Sequence, residues 1–456
     1  MANKRDFGVC LLGASGSVGH VMARYLTETV PSDTRWAIAG RADSKLRQSS
    51  DMTTTKTISR RTTSSVLNEL PIDGNRPDVI FTDAKDLESL RAMAKRTSVV
   101  VTTVGPYVEY GEAVVRACVE EGTHYVDITG EAFWVTEMAA KYGEQARANG
   151  ACIVSFAGYD CVPFELSTYL AHRTLSRKHD TPLVAAESLT AMGSFGPPRG
   201  TMLTCVGMPG LGLYHVNKNW LRFIPSTERV PFLRDVCLWC LPWWSAQASA
   251  FTLPEVMGAV ACTIVHASST KLGYPGLRYN SRYDVTSSII AALGASEGGM
   301  TARIIACLNV FGLLPMLFMY ALMVPLGAIG AVIVVPLILL PPTRALLLRL
   351  IASVPPYAGS NDGSVLVRTR ARGANGAIVN AHVELPGDPG IYVTALCAAE
   401  TALAVLDCAM ETGCTNDVVH GAAGSLPVGF TTPLHACGDV LVERIKKAKG
   451  TVVRCE

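Results

Sequence analysis

Over its first third the chain alternates short apolar runs with amphipathic stretches of helical period. Phe7 to Leu12 has the length and composition of a buried strand and stops at Gly13; apolar positions then recur with helical spacing over residues 16–29. Residues 36–39 read as a second short strand, ending at Gly40 and Arg41. Further strands are expected at 78–82, 99–104, 125–128 and 152–156, with helices at 86–96, 110–121 and 133–149 between them. Strands that are apolar throughout belong in a sheet covered on both faces, and alternation with helices makes that sheet parallel. Residues 47–66 break the pattern. They are rich in Ser, Thr, Lys and Arg with little apolar period, and read as a frayed helix end or a solvated loop.

Past about Glu165 the rhythm changes. Residues 185–191, 259–267, 364–372 and 377–384 read as strands of a separate, mixed sheet. The tail is helical at 393–411, and a last helix starts at Thr432 and Pro433, where a threonine cap precedes proline in the first turn. Between these regions, residues 304–343 contain no charged side chain; Arg303 precedes the stretch, and Arg344 and Arg349 follow it. One membrane span needs about 20 apolar residues. The stretch is just long enough for two, with nothing left for a turn, and Pro315, Pro325, Pro336, Pro341 and Pro342 interrupt it. A hairpin that dips into one leaflet and returns fits better, and the flanking arginines keep both ends cytosolic. A buried helix pair or an oligomer interface is the alternative. The segment 238–244 holds three of the six tryptophans, which suits either a headgroup contact or ordinary core packing.

With 456 residues, two or more lobes are expected. The net charge of +2 offers nucleic acid no electrostatic footprint. Most of the 14 cysteines lie inside apolar runs, as Cys10 does, which suits free thiols in a reducing compartment. Cys237 and Cys240 have C-x-x-C spacing but no second pair or nearby histidines, so no metal site is expected.

The chemistry-bearing motif is the turn after the first strand, Gly13-Ala14-Ser15-Gly16-Ser17-Val18-Gly19. Gly13 permits the tight turn, Gly16 close approach of a pyrophosphate, and Gly19 close packing of helix on sheet. The helix N-terminus offers free N–H groups and the positive end of its dipole. Between a strand and a helix this spacing marks a Rossmann-type dinucleotide site. Arg41 stands where NAD sites usually carry a carboxylate for the ribose hydroxyl; a guanidinium suits a 2′-phosphate, so NADP(H) is expected ahead of NAD(H), with Lys45 adding charge. Otherwise Arg41 is a solvated loop cation. Asp83, after the third strand, is placed to meet the adenine or to cap the next helix.

Ligands of such sheets bind beyond the carboxyl ends of the strands. Three polar groups fall there: Gly105-Pro106-Tyr107, Thr129-Gly130-Glu131 and Gly158-Tyr159-Asp160. Hydride transfer to a polarised double bond needs a proton donor, so Tyr107, Glu131 and Asp160 are the candidate catalytic residues, with Tyr107 first. Ordinary turn chemistry is the competing reading for each. Arg199, in a Gly/Pro-rich loop, is the candidate for an anionic substrate group or merely part of a connection.

Taken together these residues resemble the saccharopine dehydrogenase-like oxidoreductases, in the branch of lipid-droplet-associated proteins and trans-acting enoyl reductases. The matching pieces are Gly13-Ala14-Ser15-Gly16, Gly40-Arg41, Gly105-Pro106-Tyr107, Tyr110-Gly111-Glu112 and Tyr125 through Glu131. They continue with Gly158-Tyr159-Asp160, Pro163, Gly196, Gly200-Thr201, Asp388-Pro389-Gly390-Ile391-Tyr392, Thr431-Thr432-Pro433 and Gly438-Asp439. Glu165 stands where the family often has Asp. The resemblance implies an α/β protein: a Rossmann-type doubly wound parallel sheet at 1–165 and a second α/β lobe from 166–300 and 355–390. The hydrophobic hairpin falls at 301–354, and C-terminal helices at 391–456 return to the first domain. The expected function is an NADP-dependent oxidoreductase at the cytosolic face of a membrane or lipid droplet, acting on a lipidic substrate, with a homodimer left open. Two alternatives stand beside it: a non-catalytic nucleotide-binding protein of lipid surfaces, and a saccharopine-type amino-acid dehydrogenase.

Overall fold

The computed structural model describes residues 5–41, 62–192, 199–207, 243–245, 250–255, 257–284, 340–353, 359–412, 414–415 and 426–456, with positions 287 and 300. The first lobe runs β1 (Phe7–Leu12), α1 (Ser17–Thr29), β2 (Trp36–Gly40), α2 (Thr63–Glu69), β3 (Asp78–Phe81), α3 (Leu87–Lys95) and β4 (Thr97–Thr102). It continues with α4 (Tyr107–Glu120), β5 (His124–Asp127), α5 (Ala132–Ala148), β6 (Cys152–Val154) and α6 (Val162–His179). Helix α2 corrects the loop expected up to residue 66. Thr62 and Ser65 form a capping box at its start, each accepting the other's backbone N–H.

The second lobe carries β7 (Leu183–Met192), α7 (Arg199–Gly207), β8 (Trp243–Ser245), β9 (Ala250–Pro254), α8 (Gly258–Lys271), β10 (Arg278–Tyr283), α9 (Pro341–Ser353), β11 (Ser364–Gly373) and β12 (Ile378–Pro386). A π-helical turn, Pro389–Val393, leads into α10 (Thr394–Thr412). The chain ends with β13 (Cys414–Thr415), β14 (Leu426–Pro427), β15 (Gly429–Thr431), α11 (Pro433–Lys447) and β16 (Val452–Cys455).

The first sheet has the order β15-β6-β5-β4-β1-β2-β3 and is parallel throughout. β1, β2, β4, β5 and β6 are buried on both faces because helices cover both, while the edge strand β3 leaves Asp78 and Phe81 exposed. The strand order reverses between β1 and β4, so a crevice opens there beyond the carboxyl ends. The seventh strand, β15, comes from residues 429–431, so the domain expected at 1–165 is completed by the tail. The second sheet, β16-β12-β11-β7-β10-β9-β8, is mixed: β10 runs parallel to β7, and β11 antiparallel to both β7 and β12. β11 and β12 alternate buried and more exposed positions, and α6 packs against both.

The strand expected at 259–267 is instead helix α8. Ala261, Ile264, Val265 and Ser268 are all buried, so the helix has no polar stripe to reveal its period. Helix α10 packs on α1, β1, β4 and β5, and so roofs one face of the first sheet. Among the described residues, Pro389–Glu411 is the one stretch long and apolar enough to cross a membrane, and 83% of it is buried inside the protein. Most of the uncharged stretch expected to form the hairpin, residues 304–339, lies outside the described residues, as do Lys45, Cys237 and Cys240. Residues 340–343 belong to the approach and first turn of α9.

Candidate functional site

The turn after β1 is held from three sides. Gly13 donates to Ala39 O at 3.1 Å, Gly16 donates to Gly13 O at 3.0 Å, and Thr103 Oγ1 donates to the same Gly13 carbonyl at 3.2 Å. Gly13 has φ of +99°. A Cβ there would sit 2.8 Å from both Thr103 Oγ1 and Val104 Cγ2. At Gly19 a Cβ would come within 2.2 Å of the Gly13 carbonyl oxygen. Both glycines are therefore demanded by the chain's own packing. Gly16 differs, since a Cβ there would meet nothing nearer than 3.4 Å. It is the N-cap of α1, and no side chain caps the helix. Ala14 is buried and anchors the turn, while Ser15 and Gly16 are exposed and Ser17 and Val18 half-exposed. The first turn of α1 thus presents N–H groups and a positive dipole end to whatever lies outside.

Arg41 follows β2 directly, is exposed, and makes no ion pair among the described residues. Asp83 has the local duty: its Oδ1 accepts from Lys85 N at 3.0 Å in the turn before α3. Gly105 is exposed, and Pro106 is the N-cap of α4. Arg199 begins α7, with its side chain outside the described residues.

The three catalytic candidates separate. Tyr107 does not face an open cavity. It is 5% exposed, its hydroxyl donates to Thr102 O at 2.9 Å, and the same oxygen accepts from Ile128 N at 3.3 Å. Burial, with the charges of Asp127 and Glu131, pushes its pKa well above the usual phenol value. Glu131 is equally committed: its carboxylate accepts from Tyr107 N at 3.1 Å and Val108 N at 2.9 Å, capping α4 from the start of α5. These two residues fix the turn between β4 and α4 through each other. The sequence placed Tyr107 at a strand end but could not show that its ring folds back onto that strand.

Asp160 is only partly covered and has no hydrogen-bond partner among the described residues. Its Oδ2 lies 4.0 Å from where a Cβ on Gly130 would stand, and Met257 Cε, from the second lobe, lies 3.7 Å from the same point. The two lobes therefore meet over Gly130. Loss of water around its carboxyl pushes the Asp160 pKa up to about 6. The loop that carries Asp160 is pinned by two residues absent from the candidate set. Buried Asp127 accepts from Thr129 N, Phe156 N and Ser155 Oγ. It thereby holds Phe156 at φ of 69°, a left-handed conformation that bulky residues seldom adopt. Thr394 Oγ1, at the start of α10, accepts from Tyr159 N at 3.3 Å. From the second lobe, Glu255 is 8% exposed and reaches the same region: Tyr159 OH donates to its Oε1 at 3.5 Å and Ser281 Oγ to its Oε2 at 3.3 Å. A lone Glu between two apolar segments gave no periodic or motif signal.

Farther along the interface, Glu165 is fully buried against Ser268 and Thr432, with Lys271 close enough to lower its pKa. Burial outweighs these contacts and pushes it to about 7. The folded value exceeds the unfolded one, so the fold favours the protonated acid. That stability is complete at acid pH and is lost as pH rises through about 7. Glu165→Gln should narrow the fall in melting temperature between acid and alkaline buffer, by an amount equivalent to at most about 3 kcal/mol. An unchanged pH dependence would remove Glu165 from this account.

Residues 9–154, which span the glycine turn, Arg41, Tyr107 and Glu131, match the saccharopine dehydrogenase NADP binding domain. A Caenorhabditis elegans protein named for lipid droplet localization is 38% identical over 161 residues, 35% of this chain and 35% of its own length. A Mycobacterium tuberculosis protein provisionally named a trans-acting enoyl reductase is 26% identical over 98% of this chain and 97% of its own. In structure, the apo L-Glu-forming saccharopine dehydrogenase of Saccharomyces cerevisiae superposes over 99% of both chains with a TM-score of 0.51 at 12% identity, a likeness of fold. Residues 9–154 thus carry a saccharopine dehydrogenase-type NADP-binding domain, and the chain is similar over nearly its whole length to the protein provisionally named a trans-acting enoyl reductase.

Proposed function

We propose that this protein is an NADP(H)-dependent oxidoreductase that acts at a lipid surface on an apolar substrate. The observation that carries the reading is the uncapped N-terminus of α1, set by the Gly13–Gly19 turn at the carboxyl end of β1, where the order of the parallel sheet reverses. The residues present fit a dinucleotide. The first turn of α1 would take the pyrophosphate, the Gly13–Gly19 contact seats that turn close against β1, and Arg41, which makes no ion pair among the described residues, would meet a 2′-phosphate at the end of β2. When bound, the nicotinamide supplies or accepts a hydride. Tyr107 and Glu131 fix the turn between β4 and α4, Asp127 and Thr394 fix the Asp160 loop, and Met257 of the second lobe approaches Gly130.

Arg41→Ala is expected to weaken NADPH binding by roughly ten- to a hundred-fold, the worth of one or two charge-assisted bonds, and to leave NADH binding within about two-fold. Isothermal titration with both cofactors reads this. Equal losses would show that Arg41 is a solvated cation and remove the 2′-phosphate assignment.

Support for the lipid surface comes from α9, which continues directly from the uncharged stretch. None of its residues is buried, and Leu340, Leu346 and Leu350 are more than half exposed, with Arg344 and Arg349 on the same short helix. Exposed leucines beside arginines suit the boundary between acyl chains and phosphates. The relative named for lipid droplets points the same way. The test is to incubate the full-length protein with NADPH and a membrane lipid extract, following cofactor oxidation together with product mass. Turnover coupled to a reduced lipid supports the reading. Tight NADPH binding without turnover favours a nucleotide-binding protein of lipid surfaces, and protein recovered only in the soluble fraction overturns the lipid-surface part.

A further inference from the structure

We propose that the outer face of the second sheet is a docking surface for a membrane that carries anionic phospholipids. This rests on the lipid-surface part of the reading above and says which face meets the lipid. Helix α6 packs on β7, β11, β12 and β16 and covers one side of that sheet. On the other side each strand presents every second residue. Five of these are arginines: Arg368, Arg370 and Arg372 from β11, Arg278 from β10 and Arg454 from β16.

Strand pairing gathers these arginines into one patch. Arg370 and Arg372 stand about 7 Å apart along β11. Arg372 lies opposite Ala185 of β7, and Ala185 lies opposite Arg278, so one small side chain separates two arginines across the sheet. Arg368 and Arg454 flank His382 of β12. Arg368 is held by Asp284 and Ser287. Arg278, Arg370, Arg372 and Arg454 are exposed and make no ion pair or side-chain hydrogen bond among the described residues. The acids of this face have other partners: Glu187 accepts from Ser245 Oγ at 2.9 Å, and Glu384 from Ser364 Oγ at 2.7 Å. Glu456 lies beside Asn380. The positive excess reaches His382. Burial, then the charge of Arg454, holds its pKa below the ordinary value although Glu384 lies 3.8 Å away.

Like charges on neighbouring strands weaken a sheet, so the chain itself draws no stability from the patch. An anionic partner reverses the sign. Two apolar side chains stand among the cations: Ile378, opposite Arg372, is 46% exposed, and Val452, two residues before Arg454, is 41% exposed. Guanidinium groups beside aliphatic side chains match the boundary of a bilayer, where the first pair with phosphate oxygens and the second reach between headgroups. A cavity of about 260 Å³ opens on the same face, with Arg368, Asn380, His382, Arg454 and Glu456 in its wall. Its two arginines suit a phosphate-bearing headgroup. A second copy of the chain would bring the same excess of arginine, so charge favours an anionic bilayer over self-association.

The experiment is arginine footprinting with phenylglyoxal, read by mass spectrometry. The full-length protein is labelled free and on vesicles of phosphatidylcholine, with and without phosphatidylserine. On phosphatidylserine vesicles Arg278, Arg370 and Arg372 should lose most of their reactivity. Arg35 and Arg96, exposed on the first lobe, should react as they do in solution. In vesicle co-sedimentation, Arg370→Gln with Arg372→Gln should weaken binding to phosphatidylserine vesicles by about twenty-fold, near five-fold for each arginine. Added salt should weaken the parent in the same direction. Arg370→Lys with Arg372→Lys should keep most of the affinity. Arg35→Gln with Arg96→Gln, which removes the same charge elsewhere, should stay within about two-fold of the parent. All of these positions are exposed, so each variant should melt and bind NADPH like the parent. An equal loss in both glutamine pairs would show a response to net charge alone and overturn the proposal. Vesicle binding with Arg370 and Arg372 as reactive as in solution would overturn it too, while leaving the lipid-surface reading in place. Protection that grows with protein concentration in the absence of vesicles would assign the face to a second copy instead. Recovery in the supernatant with every vesicle would overturn both readings.

Discussion

Alanine at Gly19 is expected to reduce NADPH affinity by about a hundred-fold or more and to lower the melting temperature as well. The added methyl would stand 2.2 Å from the Gly13 carbonyl oxygen and 2.8 Å from Thr103 Oγ1. The first obstacle is backbone, so no rotamer change relieves it. Helix α1 must move away from β1, and the N–H groups of its first turn leave the position where they meet a pyrophosphate. Two charge-assisted hydrogen bonds at about 1.5–3 kcal/mol each correspond to more than a hundred-fold in affinity. Gly16→Ala separates the two effects, since its methyl has no close neighbour inside the chain. That variant should melt like the parent and still bind NADPH weakly if phosphate backbone contacts pass over Gly16. Native affinity and native melting in Gly19→Ala would show that the turn is not the cofactor cradle.

The second large effect is expected at Asp388, between β12 and the π-helical turn. The side chain is fully buried, and it closes two backbone ends at once: Oδ1 accepts from Ile391 N and Oδ2 from Ser360 N, both at 3.0 Å. Asp388→Ala orphans both donors, at a cost of about 1–3 kcal/mol each. A fall in melting temperature of roughly 2–6 °C is expected by calorimetry. Asp388→Asn, which keeps one acceptor oxygen, should lose about half as much. The damage should reach the site, because Thr394 ties Pro389 O to Tyr159 N, beside Asp160. A melting temperature within a degree or so of the parent would mean that the two backbone ends find other partners.

The parts of this fold that could be read from the sequence are those where one local rule dominates. β1 through β6 are short apolar runs bounded by turns, and Gly13 and Gly19 sit where only glycine fits. Other parts depend on neighbours distant in sequence. Helix α8 looked like a strand because it is buried all round. Strands β10 and β16 went unread because Arg278, Asn280 and Arg454 interrupt any apolar run; their pairing partners, β7 and β12, make them strands. Asp160 was legible as a position in the loop after β6, because loops after parallel strands are where ligands of such sheets bind. Glu255 was not, since it acquires meaning only where the second lobe touches the first. Tyr107 and Glu131 were legible as positions, while the hydrogen bonds that tie each to the turn between β4 and α4 were not.

The placement of β15 bears on how this protein is made. The edge strand that covers β6 is supplied by residues 429–431, and the strand beside β12 by residues 452–455. A ribosome delivers both only after the preceding 428 residues have been made, so the first lobe waits with β6 uncovered. An N-terminal fragment ending near residue 165 would keep the glycine turn but expose the β6 backbone and the apolar face under α10. Such a fragment should pair with itself through that edge and aggregate, whereas adding residues 389–456 in trans should rescue its solubility. A tag or truncation at the last few residues should be felt in the second sheet, far from where it is placed.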